Sequence, residues 1–287
     1  ESAVIAALRF GKIDGKNFLT TKKQNHPLIN TYVKNDSAFM VSKNSNLEFA
    51  LKAPAEVCSD NPAHSKLSCS SCHSSWTSSC IGCHNRFDEN ARGYNMIENT
   101  EITGTWLETK GTFTAKLPAL GIRKTDTGDK IVPVIPGMVL TIDKNSYTKN
   151  EKDSLIFHRL FAPVAPHTTA AKGRTCKSCH NNPVALGFGE GDLKYQIKNG
   201  KGKWEFYPLY DPDINDNLPG DAWTGFLEDR TGMVSTRKNV FPFDVEQQKK
   251  ILTVGACLNC HNENSELMIN SLHDFDALFK KRKTSCV

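Results

Sequence analysis

The 287-residue sequence lacks long apolar runs. A helix that spans a membrane needs roughly 18 to 20 consecutive apolar residues, and no stretch approaches that length, so we expect no membrane span. The first residues also lack a charged segment followed by an apolar one, which is the pattern of an export signal. We therefore expect the sequence to begin at a processed mature terminus or inside a longer precursor.

Cysteine, in contrast, is abundant and regularly spaced. Eight of the ten cysteines belong to four copies of the pattern C-x-x-C-H: motif 1 is Cys69, Cys72 and His73, motif 2 is Cys80, Cys83 and His84, motif 3 is Cys176, Cys179 and His180, and motif 4 is Cys257, Cys260 and His261. This pattern is the attachment signature of c-type haem, in which the two thiols form thioethers with the haem vinyl groups and the histidine binds the iron. The four copies predict four covalent haems.

Two other chemistries use closely spaced cysteines. Paired C-x-x-C segments can hold zinc, but zinc does not require a histidine directly after each pair. A disulfide scaffold is the second alternative, but a two-residue spacer closes a small strained ring that is more typical of redox or metal motifs. The haem interpretation is the more specific one.

Four bound haems would add apolar surface and negative charge that the amino-acid composition does not include. Apolar residues make up only 38 % of the chain, and haem macrocycles would supply further apolar surface for packing. The formal net charge of +5 would become about −3 with eight ionised propionates, so the basic residues give no evidence for nucleic-acid binding. Covalent haem attachment takes place outside the cytoplasmic membrane, so we expect a periplasmic, cell-surface or extracellular protein.

Five histidines outside the motifs are candidates for the second, distal position on the irons. They are His26, His64, His158, His167 and His273. Two imidazoles give a closed iron that exchanges electrons with little rearrangement, whereas an open position could bind a substrate. We rank His64, His158, His167 and His273 first; His26 then remains, and it could instead bind a haem of a neighbouring subunit.

The chain is predicted to be mainly α-helical and irregular, organised by stacked haems, with a small antiparallel β insertion. Residues 1–57 form an N-terminal arm that could contact another subunit, 58–99 a paired-haem segment, 100–147 the haem-free β insertion and 148–287 a C-terminal two-haem region, which together we expect to form one compact unit. Motifs 1 and 2 are so close in sequence that their haems are expected to be in contact.

Local patterns predict several elements within these regions. Apolar residues predict a helix over 150–161 that contains His158, and Asp244 with Gln247 forms a capping-box pattern for a helix that ends at motif 4. A last helix is predicted over roughly 264–281. Pro133 and Pro136 favour an edge position in the β insertion.

Cys58 and Cys286 lie outside the motifs. Two remaining thiols in an oxidising compartment favour a disulfide, which here would connect the first haem pair to the C-terminal end of the chain.

At its four motifs the sequence resembles the multihaem c-type cytochromes. The paired motifs 1 and 2 and the proline-rich residues 162–167 before motif 3 are similar to segments of larger multihaem proteins of anaerobic respiration and of tetrahaem cytochromes that polymerise outside the cell. The resemblance implies bis-histidine haems in a close-packed chain, an α-rich irregular fold and long-range electron transfer.

We therefore expect a non-enzymatic conduit that passes electrons between redox partner proteins, with self-association into a filament through haem contacts or an intersubunit histidine as one form of it. The alternative is an oxidoreductase in which one five-coordinate haem reduces a nitrogen or sulfur oxyanion. A third possibility is the redox subunit of a membrane complex.

Overall fold

The structure, a computed structural model, describes residues 10–13, 16–21, 24–52, 57, 62–80, 82–150, 155–166, 168–228, 234–235 and 237–282. The chain forms two compact units, Glu1–Ser65 and Lys66–Val287. All four C-x-x-C-H motifs belong to the second unit. No helix of the described residues is long and apolar enough to cross a membrane, as the sequence predicts.

Strands dominate both units, which corrects the expected fold class. Strands account for 41 % of the residues and helices for 19 %, so the prediction of a mainly α-helical fold is wrong. The strands are β1 (Phe10–Ile13), β2 (Lys16–Thr20), β3 (Pro27–Leu28), β4 (Thr31–Lys34), β5 (Ser37–Val41), β6 (Glu48–Ala50), β7 (Thr77–Cys80), β8 (Cys83–Asn95), β9 (Thr100–Lys110), β10 (Phe113–Lys116), β11 (Ala119–Thr125), β12 (Gly128–Asp143), β13 (Ile156–Pro163), β14 (Gly191–Lys198), β15 (Lys201–Pro208), β16 (Val234–Ser235) and β17 (Val240–Phe241).

The helices are mostly one-turn segments. They are α1 (Cys69–His73), α2 (Asn145–Thr148), α3 (Lys177–His180), α4 (Pro183–Leu186), α5 (Val245–Cys260), α6 (Glu266–Asn270) and α7 (Phe275–Lys280). Three of them, α1, α3 and α5, contain residues of the C-x-x-C-H motifs. Helix therefore occurs mainly at the motifs and near the C-terminal end of the described chain, while strands form the rest.

The first unit contains two small antiparallel sheets, β1-β2-β3 and β4-β5-β6. Asn35 and Asp36 both have positive φ, 48° and 58°, between the paired residues Lys34 and Ser37. Two positive φ values in a two-residue loop are those of a type I′ turn, which matches the twist of the strands it joins. The predicted N-terminal arm is thus built from hairpins.

A seven-stranded sheet forms the centre of the second unit. Its order is β16-β13-β12-β11-β17, and β8 pairs with both β12 and β9. The predicted β insertion supplies β9, β11 and β12 of this sheet, so the strands exist, but they belong to a larger sheet in which β11 and β12 are central and β9 lies at an edge. Strand β8, which begins in motif 2, runs parallel to the end of β12, whereas the β11–β12 and β12–β13 pairs are antiparallel.

The two prolines of β12 lie in the sheet interior and not at an edge. Pro133 pairs with Leu120 of β11, and its carbonyl accepts a hydrogen bond from Val164 N–H at 3.0 Å. Pro136 falls in the register break between Ile135 and Met138. At a break in register the backbone N–H has no partner in the neighbouring strand. A proline there, which lacks an N–H, therefore costs no hydrogen bond of the sheet.

The predicted helix over 150–161 is wrong where the structure describes it. Residues Ile156–Pro163 form β13, paired with β12, and 151–154 lie outside the described residues. A short run of apolar and aromatic residues fits either a buried helix or a buried strand. Here the strand also places Arg159 in the protein interior, where it is fully buried.

The core lies on both faces of β11. Ala119 packs with Val132, Val134 and Trp223 on one face, and Leu120 packs with Leu252 of α5 on the other. Successive side chains of a strand point to opposite faces, so a strand between two layers is buried throughout. At Gly121 a Cβ would lie 2.5 Å from the Trp223 ring, which explains the glycine.

The C-terminal helices partly match the sequence pattern. Asp244 caps α5 in a capping box with Gln247, as predicted, and motif 4 lies at the end of that helix. The single helix expected over 264–281 is instead two short helices, α6 and α7. Asp274 caps α7 by accepting a hydrogen bond from Ala277 N–H at 2.9 Å, so a new helix starts where the pattern predicts continuity.

Candidate functional site

Motif 1 is a one-turn helix fastened to strand β12. Ser68 caps α1, and its N–H donates to the carbonyl of Ile131 at 2.9 Å. Ser71, inside the motif, donates its hydroxyl to the same carbonyl at 2.8 Å. Cys69 and Cys72 are three residues apart on a helix and therefore lie on one face, with Cβ atoms about 5 to 6 Å apart.

The ring of His73 is held by the backbone after β13. Its Nδ1 lies 3.0 Å from the carbonyl oxygen of Ala170. A carbonyl can only accept, so Nδ1 carries the proton and the lone pair of the neutral ring is on Nε2. Gly173 lies beside that nitrogen, because a Cβ there would be 3.8 Å from Nε2. This ring is oriented as an iron ligand requires.

Motif 3 has the same arrangement. Cys179 and His180 belong to α3, and Cys176 precedes the helix in helical conformation. Nδ1 of His180 donates to the carbonyl of Ile251 at 2.9 Å, which again leaves the lone pair on Nε2. Burial lowers the pKa of His180, and the hydrogen bond to Ile251 opposes it less strongly, so the ring is neutral, as an iron ligand must be.

Motif 4 ends the longest helix. Cys257 and Cys260 lie in the last turn of α5, and His261 follows as its C-cap. The two cysteines again share one helical face. Glu263, two residues after the motif, accepts a hydrogen bond from the backbone N–H of Cys176 at 2.9 Å. Motif 3 is therefore bonded to the residue two positions after motif 4.

Motif 2 differs because its two cysteines lie at the ends of two strands and not on a helix. Cys80 ends β7 and Cys83 begins β8, with residue 81 outside the described residues. His84 Nδ1 lies 2.6 Å from the hydroxyl of Thr141, and a Cβ on Gly82 would be 3.4 Å from Nε2. The described residues of motif 2 therefore lack the helical turn on which the cysteine pairs of the other three motifs lie.

The residues present therefore fit covalent haem best at motifs 1 and 3. Both combine a cysteine pair on a helical turn with a histidine whose Nδ1 is bound to a carbonyl. Motif 4 shares the helical cysteine pair, and motif 2 shares the oriented histidine. The sequence did not predict that Ala170, Ile251 and Thr141 supply the oxygen atoms that orient these histidines. A backbone carbonyl leaves no signature in a sequence, and nothing in the pattern around Thr141 distinguishes it from other threonines.

The distal candidates are spread over both units. In the first unit His26 is exposed and His64 is half-buried; in the second, His158 is half-buried and His273 is exposed. His167 lies outside the described residues. Sheet register places His158 near motif 2, because Leu140 pairs with His158 on one side and with Cys83 on the other. Two strand spacings, about 10 Å, separate those backbones. Distal ligation by any of the five stays a prediction.

The geometry does not favour the two alternative uses of the motif cysteines, disulfides and zinc binding. Six motif cysteines whose side chains are described are thiols: Cys69, Cys72, Cys176, Cys179, Cys257 and Cys260. Burial, and then the neighbouring Glu263, raise the pKa of the Cys176 thiol, while zinc binds thiolates. Among the described residues no group of three or more His, Cys, Asp or Glu is placed to hold a metal ion; haem iron needs only one or two protein ligands. Cys58 and Cys286 lie outside the described residues.

A polar cavity that the sequence did not predict lies next to α4. It has a volume of about 40 Å³, room for only a few water molecules, and its lining includes Thr77, Lys116, Glu190 and Asp221. Asp221 is 8 % exposed, and its Oδ2 accepts a hydrogen bond from Glu190 N–H at 2.6 Å. Burial is the main cause that raises the pKa of Asp221. Lys116 forms an ion pair with Glu190, which raises the pKa of that lysine.

This cavity adjoins an open cleft beside motif 3. The cleft shares Lys116 and Glu190 with the cavity and is also lined by Lys177 and Ser178, the two residues between the cysteines of motif 3. Charged groups of both signs therefore lie next to this motif.

In comparisons with known proteins, no family model, no curated protein and no solved structure matches this chain.

Proposed function

We propose that this chain is a multihaem c-type electron-transfer protein that carries a haem at each of motifs 1 to 4. One observation carries the proposal: in motifs 1 and 3 a helical cysteine pair is followed by a histidine whose Nδ1 donates to a carbonyl, at 3.0 Å for His73 and 2.9 Å for His180. Those are the two features that thioether attachment and proximal ligation require together.

The chain's own residues have defined tasks in this proposal. The cysteines anchor each macrocycle, and the carbonyls of Ala170 and Ile251 fix the orientation of the rings of His73 and His180. Bound haem supplies one-electron chemistry, which the protein tunes through burial, axial ligands and hydrogen bonds to those ligands. Thr141 is such a hydrogen-bond partner for His84.

An exported location and redox partner proteins are part of the proposal, because haem is attached outside the cytoplasmic membrane. Self-association is a further part of it. His26 is exposed on the first unit, so it is accessible to a neighbouring copy. Replacing His26 with Ala should then reduce assembly measured by light scattering and change the haem spectrum of the assembled form; if both stay the same, the intersubunit role is wrong.

Haem content of cysteine variants tests the main proposal. The chain is expressed behind an export signal in a host that matures c-type cytochromes, and covalent haem is measured by intact mass and by haem stain after denaturation. We expect four haems, and one fewer in each variant in which both cysteines of one motif are replaced by serine. The matched control replaces Cys58 and Cys286, which lie outside the motifs, and should keep all four. A wild-type chain without covalent haem would refute the proposal.

Spectroscopy of the oxidised protein separates electron transfer from catalysis. We expect low-spin signals in visible and electron-paramagnetic spectra, since two imidazoles per iron give a closed coordination sphere. A stoichiometric high-spin haem that binds nitrite or sulfite would contradict this and favour the oxidoreductase alternative.

A further inference from the structure

The segment 168–174 connects motif 1 to motif 3. Arg174 N–H donates to the carbonyl of Cys72 at 2.9 Å, and Ala170 N–H donates to the carbonyl of His73 at 2.7 Å. Cys176, the first residue of motif 3, follows Arg174 by two residues. Because an extended chain advances at most about 3.6 Å per residue, motif 3 begins within roughly 7 Å of the strand-like contact with motif 1.

Motif 3 also contacts the residues on both sides of motif 4, through two hydrogen bonds and a close helix approach. Cys176 N–H donates to Glu263, and His180 donates to Ile251 on α5, each at 2.9 Å. At Gly255, two residues before motif 4, a Cβ would lie 2.7 Å from the carbonyl oxygen of His180. Glycine there lets the backbones of α3 and α5 approach each other.

Motif 2 is attached elsewhere. Its His84 contacts Thr141, whereas motif 1 is fastened to Ile131 of the same strand. At about 3.3 Å per residue, a straight strand would separate those two positions by roughly 30 Å; the register break in β12 makes this an upper limit. The two motifs that are nearest in sequence thus lie at separate points along β12, and contact between their haems stays a prediction.

We infer that motif 3 is the junction of the electron path, with motif 1 on one side and motif 4 on the other, and that Glu263 is the positioning residue that fixes motif 3 against motif 4. The inference rests on the proposed function. Electron exchange between haems falls steeply with distance, so a haem at motif 3 would link haems at motifs 1 and 4, and a haem at motif 2 would be a branch or an end.

Circular dichroism in the Soret region tests the order, because close haems couple and give a bisignate signal. The full-length holoprotein is compared with two variants that each lose one haem, Cys176→Ser with Cys179→Ser and, as matched control, Cys80→Ser with Cys83→Ser. We expect the bisignate signal to be lost in the first and retained in the second. The reverse pattern, or a signal that persists without the motif 3 haem, overturns the inference even if four haems are attached in the wild type.

Glu263 gives a second test in which all haems remain. Glu263→Ala removes the acceptor for Cys176 N–H, Glu263→Gln keeps an acceptor oxygen, and Glu266→Ala is the control, because Glu266 is exposed at the start of α6. With haem content verified by mass, the bisignate signal should weaken in Glu263→Ala and be restored in Glu263→Gln. Equal signals in all four proteins would show that Glu263 does not position motif 3. Absence of covalent haem would instead refute the proposed function itself.

Discussion

Arg159 offers the sharpest test of the fold, because its burial depends on β13 being a strand. Its side chain is 0 % exposed. Nε and Nη2 donate to the two carboxylate oxygens of Asp216 at 2.6 and 2.8 Å. The remaining donors reach four backbone carbonyls between 2.9 and 3.2 Å, those of Leu218, Pro219, Gly220 and Ala222. Arg159 thereby orders the loop that carries Asp221 to its cavity.

The expected loss of stability follows from these contacts. Removing one partner of a buried ion pair leaves an uncompensated charge and costs about 3 to 5 kcal/mol, so we expect Arg159→Met to lose about that much. Arg159→Lys keeps the charge but has three donors and no planar fork; we expect a loss of about 2 kcal/mol. Against a typical total of roughly 5 to 15 kcal/mol, the Met variant should be severely destabilised.

Urea unfolding of the full-length protein, followed by far-ultraviolet circular dichroism, measures both effects. Arg86→Met is the control, because Arg86 is 66 % exposed and its nearest carboxylate oxygen, on Asp88, is 3.7 Å away. Exposed pairs contribute at most about 1 kcal/mol, so this variant should be nearly neutral. If Arg159→Lys were as neutral as the control, Arg159 would not be buried, and the helix that the sequence pattern predicts would regain support.

Three further predictions each concern a substitution that removes one contact or one charge. Asp221→Asn should make stability depend less on pH: burial raises this pKa above its ordinary 3.8, so the contribution of Asp221 is present below that value and is lost as pH rises through the folded-state pKa. Urea midpoints across that range should fall less in the variant, and an identical fall would refute this. Asp244→Ala removes the cap of α5 and should cost about 1 kcal/mol; an unchanged urea midpoint would contradict it. If motif 2 carries a haem as proposed, Thr141→Val should shift the reduction potential of that haem without loss of haem, because it removes the hydrogen bond to His84, the proposed iron ligand; redox titration with an unchanged potential would count against that role.

What the sequence could predict here was local. The capping box at Asp244 needs only residues three apart, and the structure confirms it. The spacing of the motif cysteines is equally local. The strands over 100–143 were predicted from β-branched residues and turns, but not their central place in the sheet, which depends on pairing with β8 and β13.

The rest could not be predicted because it depends on distant partners. The run around His158 fits helix and strand alike, and pairing with Leu140 decides in favour of the strand. The carbonyls of Ala170 and Ile251 are positioned by tertiary contacts with no residue-type preference. The assumption of an α-rich chain came from resemblance at the motifs, and the motifs say little about the chain between them.

The pairing of β12 with both early motifs has a consequence for biogenesis. Ile131 and Thr141 hold motifs 1 and 2, yet both are made well after them. Until the chain through β12 has folded, motifs 1 and 2 have no strand to dock on, and their cysteines remain accessible. If these motifs receive haem as proposed, the folding of one later strand would set the period in which the first two attachment sites can be filled.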